Sequence, residues 1–227
     1  MGNGDYKTTS NAWRMFTVFL LFTGFMFITT AVTYMLPILS ADVFKKKVSK
    51  KIYLLGRDPQ EILLNHWQKG SFKRLESNFS DLSDMILTHR QQLLAYPILY
   101  SFHNSHPQNS SSLSIAAPDE ALTILLVHVP EENRPSNQVI GHLRKVIASF
   151  LNVLDKNFIK KTKTEISLPQ IERLQEAGIP LIKEDHQIRE SYKKISRRRH
   201  LIGIMLNNEG WNFSDIYQSD LDYELEI

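Results

Sequence analysis

The sequence predicts an all-α protein: one long transmembrane helix followed by a cytoplasmic multi-helix domain. Residues 15–41 form a 27-residue run without a charged side chain. A helix of that length measures roughly 40 Å, which is enough to cross a hydrocarbon core of ~30 Å. Beyond it, apolar residues recur at three- and four-residue spacing, and no segment has convincing strand alternation. These two observations together predict the fold class.

Charges flanking the apolar run predict its orientation. Lys7 and Arg14 precede it, whereas a lysine cluster follows it at positions 45, 46, 47, 50 and 51. The positive-inside bias places the C-terminal side in the cytoplasm, with the span in the cell (inner) membrane. Lys45, Lys46 and Lys47 are therefore predicted to contact lipid head groups.

We divide the chain into five parts on these grounds. They are an opening segment (1–14), the transmembrane helix (15–44), a basic juxtamembrane linker (45–57), a helical domain (58–160), and a C-terminal helical segment with its tail (161–227). The chain has no cysteine, which excludes a disulfide framework and a thiolate zinc site. The net charge of +3 comes without any nucleic-acid recognition motif, so we expect no nucleic-acid partner.

The helices of the domain are predicted from their start and stop signals. Asp58-Pro59-Gln60-Glu61 is a strong helix start, with an N-cap, a first-turn proline and an acid at the third position. The polar stretch Asn104 to Ser112 is predicted to be a loop. Further helices are expected to open at Ser80, Pro118, Pro135 and Ser167, the last closing at Gly178, and one more is expected from Ile188 to Arg199.

The sequence holds no phosphate-binding loop, dinucleotide fingerprint, zinc-protease motif or hydrolase motif, so it predicts no enzyme, cofactor or small-molecule substrate. His103 and His106 favour a solvated loop over a metal site, because no carboxylate cluster accompanies them. Asp119 and Glu120 are predicted to complement the dipole at the start of a helix. The run 197–199 of three arginines fits either a charged helix end or a phosphate-binding patch.

The opening tetrapeptide Gly2-Asn3-Gly4-Asp5, followed by Arg14 and the apolar helix, resembles the end of a potassium-channel selectivity filter and its inner helix. Further blocks at 33–41, 55–63, 95–103 and 119–123 are similar to prokaryotic two-transmembrane, ion-channel-like proteins. The resemblance implies a homotetramer in a lipid bilayer. Its permeant species would be a monovalent cation, with potassium expected, conducted past rings of backbone carbonyls.

The resemblance also implies roles for individual residues. Gly2, Asn3, Gly4 and Asp5 would form the filter and its outer mouth. Gly24, 20 residues beyond Gly4, would be the hinge of the pore-lining helix, and Pro37 a bend near its cytoplasmic end.

Two departures from the family pattern accompany the resemblance. Asn3 stands where the family usually has Tyr or Phe, which leaves the ion selectivity open. The family's threonine, pore helix and outer helix would precede Met1, so the resemblance implies a chain truncated inside the filter.

Two alternatives to the channel interpretation stay open. One is a single-span anchor that holds a helical interaction domain at the membrane and conducts nothing. The other is a secreted helical protein, cleaved after Ala41 so that the mature chain begins at Asp42. A myristoylation signal at Gly2 is excluded because Tyr6 stands where Ser or Thr is needed.

Overall fold

The computed structural model describes residues 10–102, 106–157, 164–182 and 185–218. These residues form seven α-helices joined by turns and 3₁₀ helices, and no strand occurs among them. The α-helices are α1 (Asn11–Leu55), α2 (Pro59–Leu64), α3 (Leu75–Ala95), α4 (Ser111–His128), α5 (Asn137–Asn157), α6 (Glu172–Glu176) and α7 (Asp185–Asn208). The prediction of an all-α chain with one long apolar helix ahead of several others is confirmed.

The chain forms two compact units, Met1–Ala41 and Asp42–Ile227. The boundary lies within α1, which contributes its first part to one unit and its remaining turns to the other. Residues 45–55 were predicted as a linker, but they continue α1, and only Gly56 to Asp58 separate it from α2. The two predicted parts 58–160 and 161–227 belong to one unit.

Helix α4 lies at the centre of the second unit, and all but one of its 18 residues are buried. A helix that is apolar on nearly every side must be surrounded by other elements. Neighbouring segments that contact it include α2, α5, α7 and the 3₁₀ helix Phe213–Tyr217. The segments around α4 therefore share one core.

Helices α3 and α5 lie side by side and run in the same direction. Near their beginnings, the backbone N–H of Ser136 donates to the Glu76 carboxylate at 2.7 Å. Toward their other ends, Arg90 Nε donates to the carbonyl oxygen of Ser149 at 3.3 Å, and the rings of His89 and Phe150 are 5.5 Å apart. All three contacts join residues at equivalent positions along the two helices, counted from their N-terminal ends, as expected for a parallel pair.

Helix α7 runs antiparallel to α4, as three contacts along their length demonstrate. Tyr192 lies 2.6 Å from the ring of His128 near the end of α4, and Arg198 pairs with Asp119 near its middle. Just past the end of α7, Glu209 accepts a hydrogen bond from Ser112, in the first turn of α4, at 2.7 Å.

The start of α2 was predicted correctly. Asp58 accepts a hydrogen bond from the backbone N–H of Glu61 at 2.9 Å, and Pro59 occupies the first turn. Helix α3 begins at Leu75, earlier than the predicted Ser80, and α7 extends past the predicted end at Arg199 to Asn208. Gly178 follows α6 with a φ of 70°, a backbone conformation that favours glycine.

The predicted start of a helix at Pro118 was wrong. Helix α4 begins at Ser111, with Ser110 as its N-cap, and continues through Pro118. The serine run predicted as a loop therefore supplies the cap and first turn of the central helix. Burial of the surrounding turns on several sides offsets the backbone hydrogen bond that a proline removes from a helix interior.

Candidate functional site

The residues predicted to form the filter, Gly2, Asn3, Gly4 and Asp5, lie outside the described residues. Gly24, the predicted hinge, lies within α1, where a Cβ atom would meet nothing within 4 Å. Packing in a single copy of the chain therefore does not require glycine at that position.

Pro37 also lies inside α1, and the helix continues past it to Leu55. A proline in a helix interior removes one backbone hydrogen bond and favours a bend at that turn.

The apolar part of α1 is long and apolar enough to cross a membrane. Within its most apolar window, no residue is buried inside the protein. Large apolar side chains are exposed on every side of it, including Phe19, Phe22, Phe25, Met26, Phe27, Ile28 and Met35. An apolar surface of this extent in one copy of the chain needs lipid or other chains to cover it.

Five threonines lie along the same part of α1, at positions 17, 23, 29, 30 and 33. Each hydroxyl donates a hydrogen bond, at 2.8 to 2.9 Å, to the backbone carbonyl four residues earlier. The hydroxyl donors of these side chains are thus satisfied within the helix itself.

The prediction that Lys45 contacts lipid head groups is corrected by its position. Lys45 is only 4% exposed. Its ammonium donates to the carbonyl oxygen of Phe102 at 2.6 Å and to that of Leu99 at 3.4 Å. By contrast, Lys46 and Lys47 are exposed, and Lys46 pairs with Asp42 at 2.8 Å.

Lys45 shares a small cavity with three titratable side chains, His89, Tyr100 and Glu209. Burial lowers the pKa of Lys45, while Glu209 and Asp42 oppose that change. Burial, and then the charge of Lys45, lowers the pKa of His89 to about 4. Burial and the nearby Glu209 raise the pKa of Tyr100 to about 12. His89 is therefore neutral at neutral pH, and its Nδ1 has no hydrogen-bond partner among the described residues.

Asp119 is fully buried and is held by two arginines from different helices. Arg198 Nε donates to its two carboxylate oxygens at 2.9 and 3.0 Å, and Arg144 Nη1 donates to them at 3.3 and 3.2 Å. Burial by itself would raise the pKa of Asp119, but the two guanidinium groups outweigh it and hold the pKa below its ordinary value. The carboxylate is therefore a charged link between α4, α5 and α7.

Glu120 forms a second buried pair beside the first. Arg199 Nη2 donates to Glu120 at 2.6 Å and also to the carbonyl oxygen of Ser167 at 2.6 Å. The hydroxyl of Tyr217 donates to the same carboxylate at 2.8 Å. We call Asp119, Glu120 and their three arginines the buried ionic cluster.

The buried ionic cluster overturns the prediction that Asp119 and Glu120 complement a helix dipole. They lie in the middle of α4 and pair with side chains far along the chain. Of the arginine run, Arg198 and Arg199 are committed to the cluster and only Arg197 is exposed. The sequence carried a signal for this, namely two consecutive acids in an apolar helix and a run of three arginines further along the chain, but no local pattern joins them.

No group of three or more potential metal ligands occurs among the described residues. His106 is described and exposed, whereas His103 lies outside the described residues. Both carboxylate oxygens of Asp119 accept hydrogen bonds from both arginines, which suits a structural link between helices.

The chain is similar to the uncharacterized membrane protein YdjJ of Bacillus subtilis (strain 168). The two are 32% identical over 210 residues, which make up 90% of this chain and 60% of the relative. The chain therefore spans about three fifths of the length of the relative it matches. No protein-family model matches the chain, and no solved structure matches it.

Proposed function

We propose that the chain is the C-terminal part of a cation channel, with potassium as the expected permeant ion. The observation that carries the proposal is the filter-like sequence Gly2 to Asp5 ahead of a long apolar helix with an exposed surface. In a tetramer, four copies of such a helix would cover part of that surface against one another and line a pore. No catalytic step belongs to this function.

Two observations support a membrane location. The apolar part of α1 has the length and composition of a membrane span, and the relative in Bacillus subtilis is described as a membrane protein. Under the proposal, α1 crosses the cell membrane once in this chain and the helical unit lies in the cytoplasm. Lys46 and Lys47, which are exposed, are then the side chains that face anionic head groups.

Gly24 and Pro37 receive their proposed roles from their positions in α1. A Cβ at position 24 would meet no atom within one chain. If the assembled channel needs glycine there, the reason would be bending of the helix or close approach of neighbouring helices. Pro37 lies near the end of the apolar run, where a bend would widen the inner mouth.

We propose that the unit Asp42–Ile227 regulates or assembles the channel. Its first turns are the last turns of α1, where Val48, Ile52 and Leu55 are buried. A change in the packing of this unit would therefore act directly on the helix that lines the pore.

A flux measurement tests conduction. The protein encoded by the whole reading frame would be reconstituted into potassium-loaded liposomes. We expect flux that Gly4→Ala abolishes, because the inward-turned filter carbonyls need backbone angles that favour glycine. Gly141→Ala is the matched control. Gly141 lies in the helical unit, away from the filter, and a Cβ at that position meets nothing within 4 Å. Flux equal to that of empty vesicles would instead support the membrane-anchored interaction protein.

Two simpler measurements bear on the same proposal. The nucleotide sequence upstream of Met1 should encode, in frame, a threonine, a pore helix and another apolar span. An in-frame stop codon close upstream would remove the channel interpretation. The orientation can be tested with an impermeant maleimide, because the chain has no native cysteine and a single one at Leu168 would be labelled only from the cytoplasmic side.

A further inference from the structure

A cavity of about 50 Å³ lies within the helical unit, where the last turn of α1, the central helix α4 and the 3₁₀ helix Phe213–Tyr217 meet. A single water molecule needs only about 10–15 Å³. The cavity therefore has room for a group of several atoms. Every residue that lines it belongs to the unit Asp42–Ile227.

The inner wall of the cavity is apolar. Ile52 of α1, Leu113 and Ala117 of α4, and Ile216 line it, and all four are buried. A wall of aliphatic side chains favours an aliphatic group over a polar one, because the bound group leaves water without losing hydrogen bonds.

Two opposite charges also line the cavity, and each is held in place by an uncharged neighbour. The guanidinium of Arg57 lies 5.9 Å from the centre of the Tyr53 ring, within the range of a cation–π contact. The carboxylate of Asp215 accepts a hydrogen bond from the backbone N–H of Asn212 at 2.8 Å. Arg57 is exposed and Asp215 is half-buried, so both lie toward the mouth of the cavity.

Neither of these charges is neutralised by the protein. In the part of the chain that the structure describes, Arg57 and Asp215 form no ion pair with each other or with a third side chain. A guanidinium binds carboxylates in a bidentate fashion, and a carboxylate binds ammonium groups through charge-assisted hydrogen bonds. The mouth of the cavity therefore offers one partner for each end of a zwitterion.

We propose that this cavity binds a free α-amino acid with a branched aliphatic side chain, such as leucine or valine. The side chain enters the apolar interior, the α-carboxylate binds Arg57 and the α-ammonium binds Asp215. This site goes beyond the proposed channel function. It depends neither on conduction nor on how the helical unit is placed relative to the membrane.

The charges around the cavity favour a zwitterion over a ligand with a single charge. Asp215 repels a simple carboxylate, and Arg57 repels a simple amine. Lys50 lies 5.2 Å from the centre of the same Tyr53 ring and adds a second positive charge nearby. Because of Lys50, the comparison with a simple carboxylate is the most demanding test of the proposal.

Calorimetric titration of the full chain in detergent tests the proposal with matched ligands. The probes are L-leucine, isocaproate, which lacks the ammonium group, and isoamylamine, which lacks the carboxylate. We expect L-leucine to bind at one site per chain. Each analogue should bind at least about tenfold more weakly, since it leaves one charged group at the mouth without its partner. L-Valine should bind as well, because it keeps both charges and a shorter branched side chain.

Two variants assign the two ends of the ligand. Arg57→Met should weaken leucine binding about tenfold or more and leave isoamylamine binding unchanged. Asp215→Asn should weaken leucine binding and leave isocaproate binding no weaker than before, and its amide oxygen can still accept from Asn212. Arg197→Met, a change at an exposed arginine of α7, is the control and should bind leucine as the native chain does.

Several results would overturn the proposal. Isocaproate or isoamylamine binding as tightly as leucine would identify a ligand of single charge. Leucine binding that survives both Arg57→Met and Asp215→Asn would place the binding elsewhere in the protein. Absence of a binding heat for both leucine and valine at millimolar concentrations would also overturn it, and this result does not depend on the folding of any variant.

Discussion

The guanidinium of Arg199 donates a hydrogen bond of 2.6 Å to the carboxylate of Glu120, and both side chains are almost completely buried. The pair joins the central helix α4 to α7 across 79 positions of sequence. Since each charge is removed from water, each depends on the other for its stabilisation.

Replacing Arg199 with methionine is expected to destabilise the helical unit. The change leaves the Glu120 carboxylate buried without its cationic partner, which costs about 3–5 kcal/mol. The measurement is the free energy of unfolding of the detergent-solubilised protein, followed by circular dichroism in urea.

Arg197 provides the control for that substitution. It lies in the same helix and is exposed, so Arg197→Met should change the free energy of unfolding by no more than about 0.5 kcal/mol. The double variant Glu120→Gln with Arg199→Met should recover part of the loss, because no unpaired charge remains. Equal effects of the two arginine substitutions would contradict the importance of the buried ionic cluster.

His89 is expected to make the stability of the helical unit pH-dependent. Its pKa is about 4 in the folded chain, against an ordinary value of 6.5. Between these pH values the unfolded chain binds a proton that the folded chain does not, so stability falls as the pH falls. The contribution of His89 is complete above pH 6.5, is lost as the pH falls through 4, and amounts to about 3 kcal/mol.

The check is the free energy of unfolding at a series of pH values for the native chain and for His89→Leu. The difference between the two curves isolates His89 from the other histidines. The groups facing it are Lys45, Tyr100 and Glu209, and the variant retains all three. Identical slopes between pH 6.5 and 4 would mean that His89 is not the titrating group.

Gly56→Ala should disturb the junction between α1 and α2. An added Cβ would lie 2.3 Å from the backbone nitrogen of Ile62 and 2.7 Å from its Cα, so the backbone itself must move. We expect a loss of about 1–3 kcal/mol in the free energy of unfolding. Gly141→Ala is the comparison, because its Cβ meets nothing and the residue lies within α5. That change should stabilise the protein by about 0.5–1 kcal/mol. Comparable outcomes at both glycines would be inconsistent with the close approach at Gly56.

Lys45 and Lys46 are expected to differ although they are neighbours in sequence. Lys45→Met removes the donor that holds the carbonyls of Leu99 and Phe102, and so should lower stability by about 1–3 kcal/mol. Lys46→Met removes an ion pair with Asp42 in which the lysine is half-exposed, so it should lower stability less than Lys45→Met does, and it should weaken binding to anionic liposomes by about 1 kcal/mol. Unfolding in urea and liposome binding at several salt concentrations separate the two effects. If Lys46→Met lowered stability more and Lys45→Met mainly weakened liposome binding, the predicted contact between Lys45 and lipid head groups would be supported instead.

The features predicted correctly from sequence were those set by local chemistry. The cap at Asp58 and the proline that follows it are recognisable because their partners lie within a few residues. A run of 27 uncharged residues is equally plain. The general helical character of the remainder followed from apolar spacing, which depends only on the period of the helix.

The features that sequence reasoning missed depend on distant partners. The serines before α4 are polar and suggest a loop, yet they cap a helix whose burial is completed by α7 and other segments. Asp119 and Glu120 are charged and suggest solvent, yet Arg198 and Arg199 neutralise them from 79 positions away. In the sequence, Lys45 cannot be distinguished from the exposed lysines that follow it, because its partner, the carbonyl oxygen of Phe102, is 57 residues away. No local pattern contains this information.

The five threonines of α1 bring hydroxyl groups into its apolar part without leaving their donors unpaired. Each hydroxyl donates to the backbone carbonyl four residues earlier. These donors therefore need neither water nor a partner on another chain, which lowers the cost of placing them in hydrocarbon.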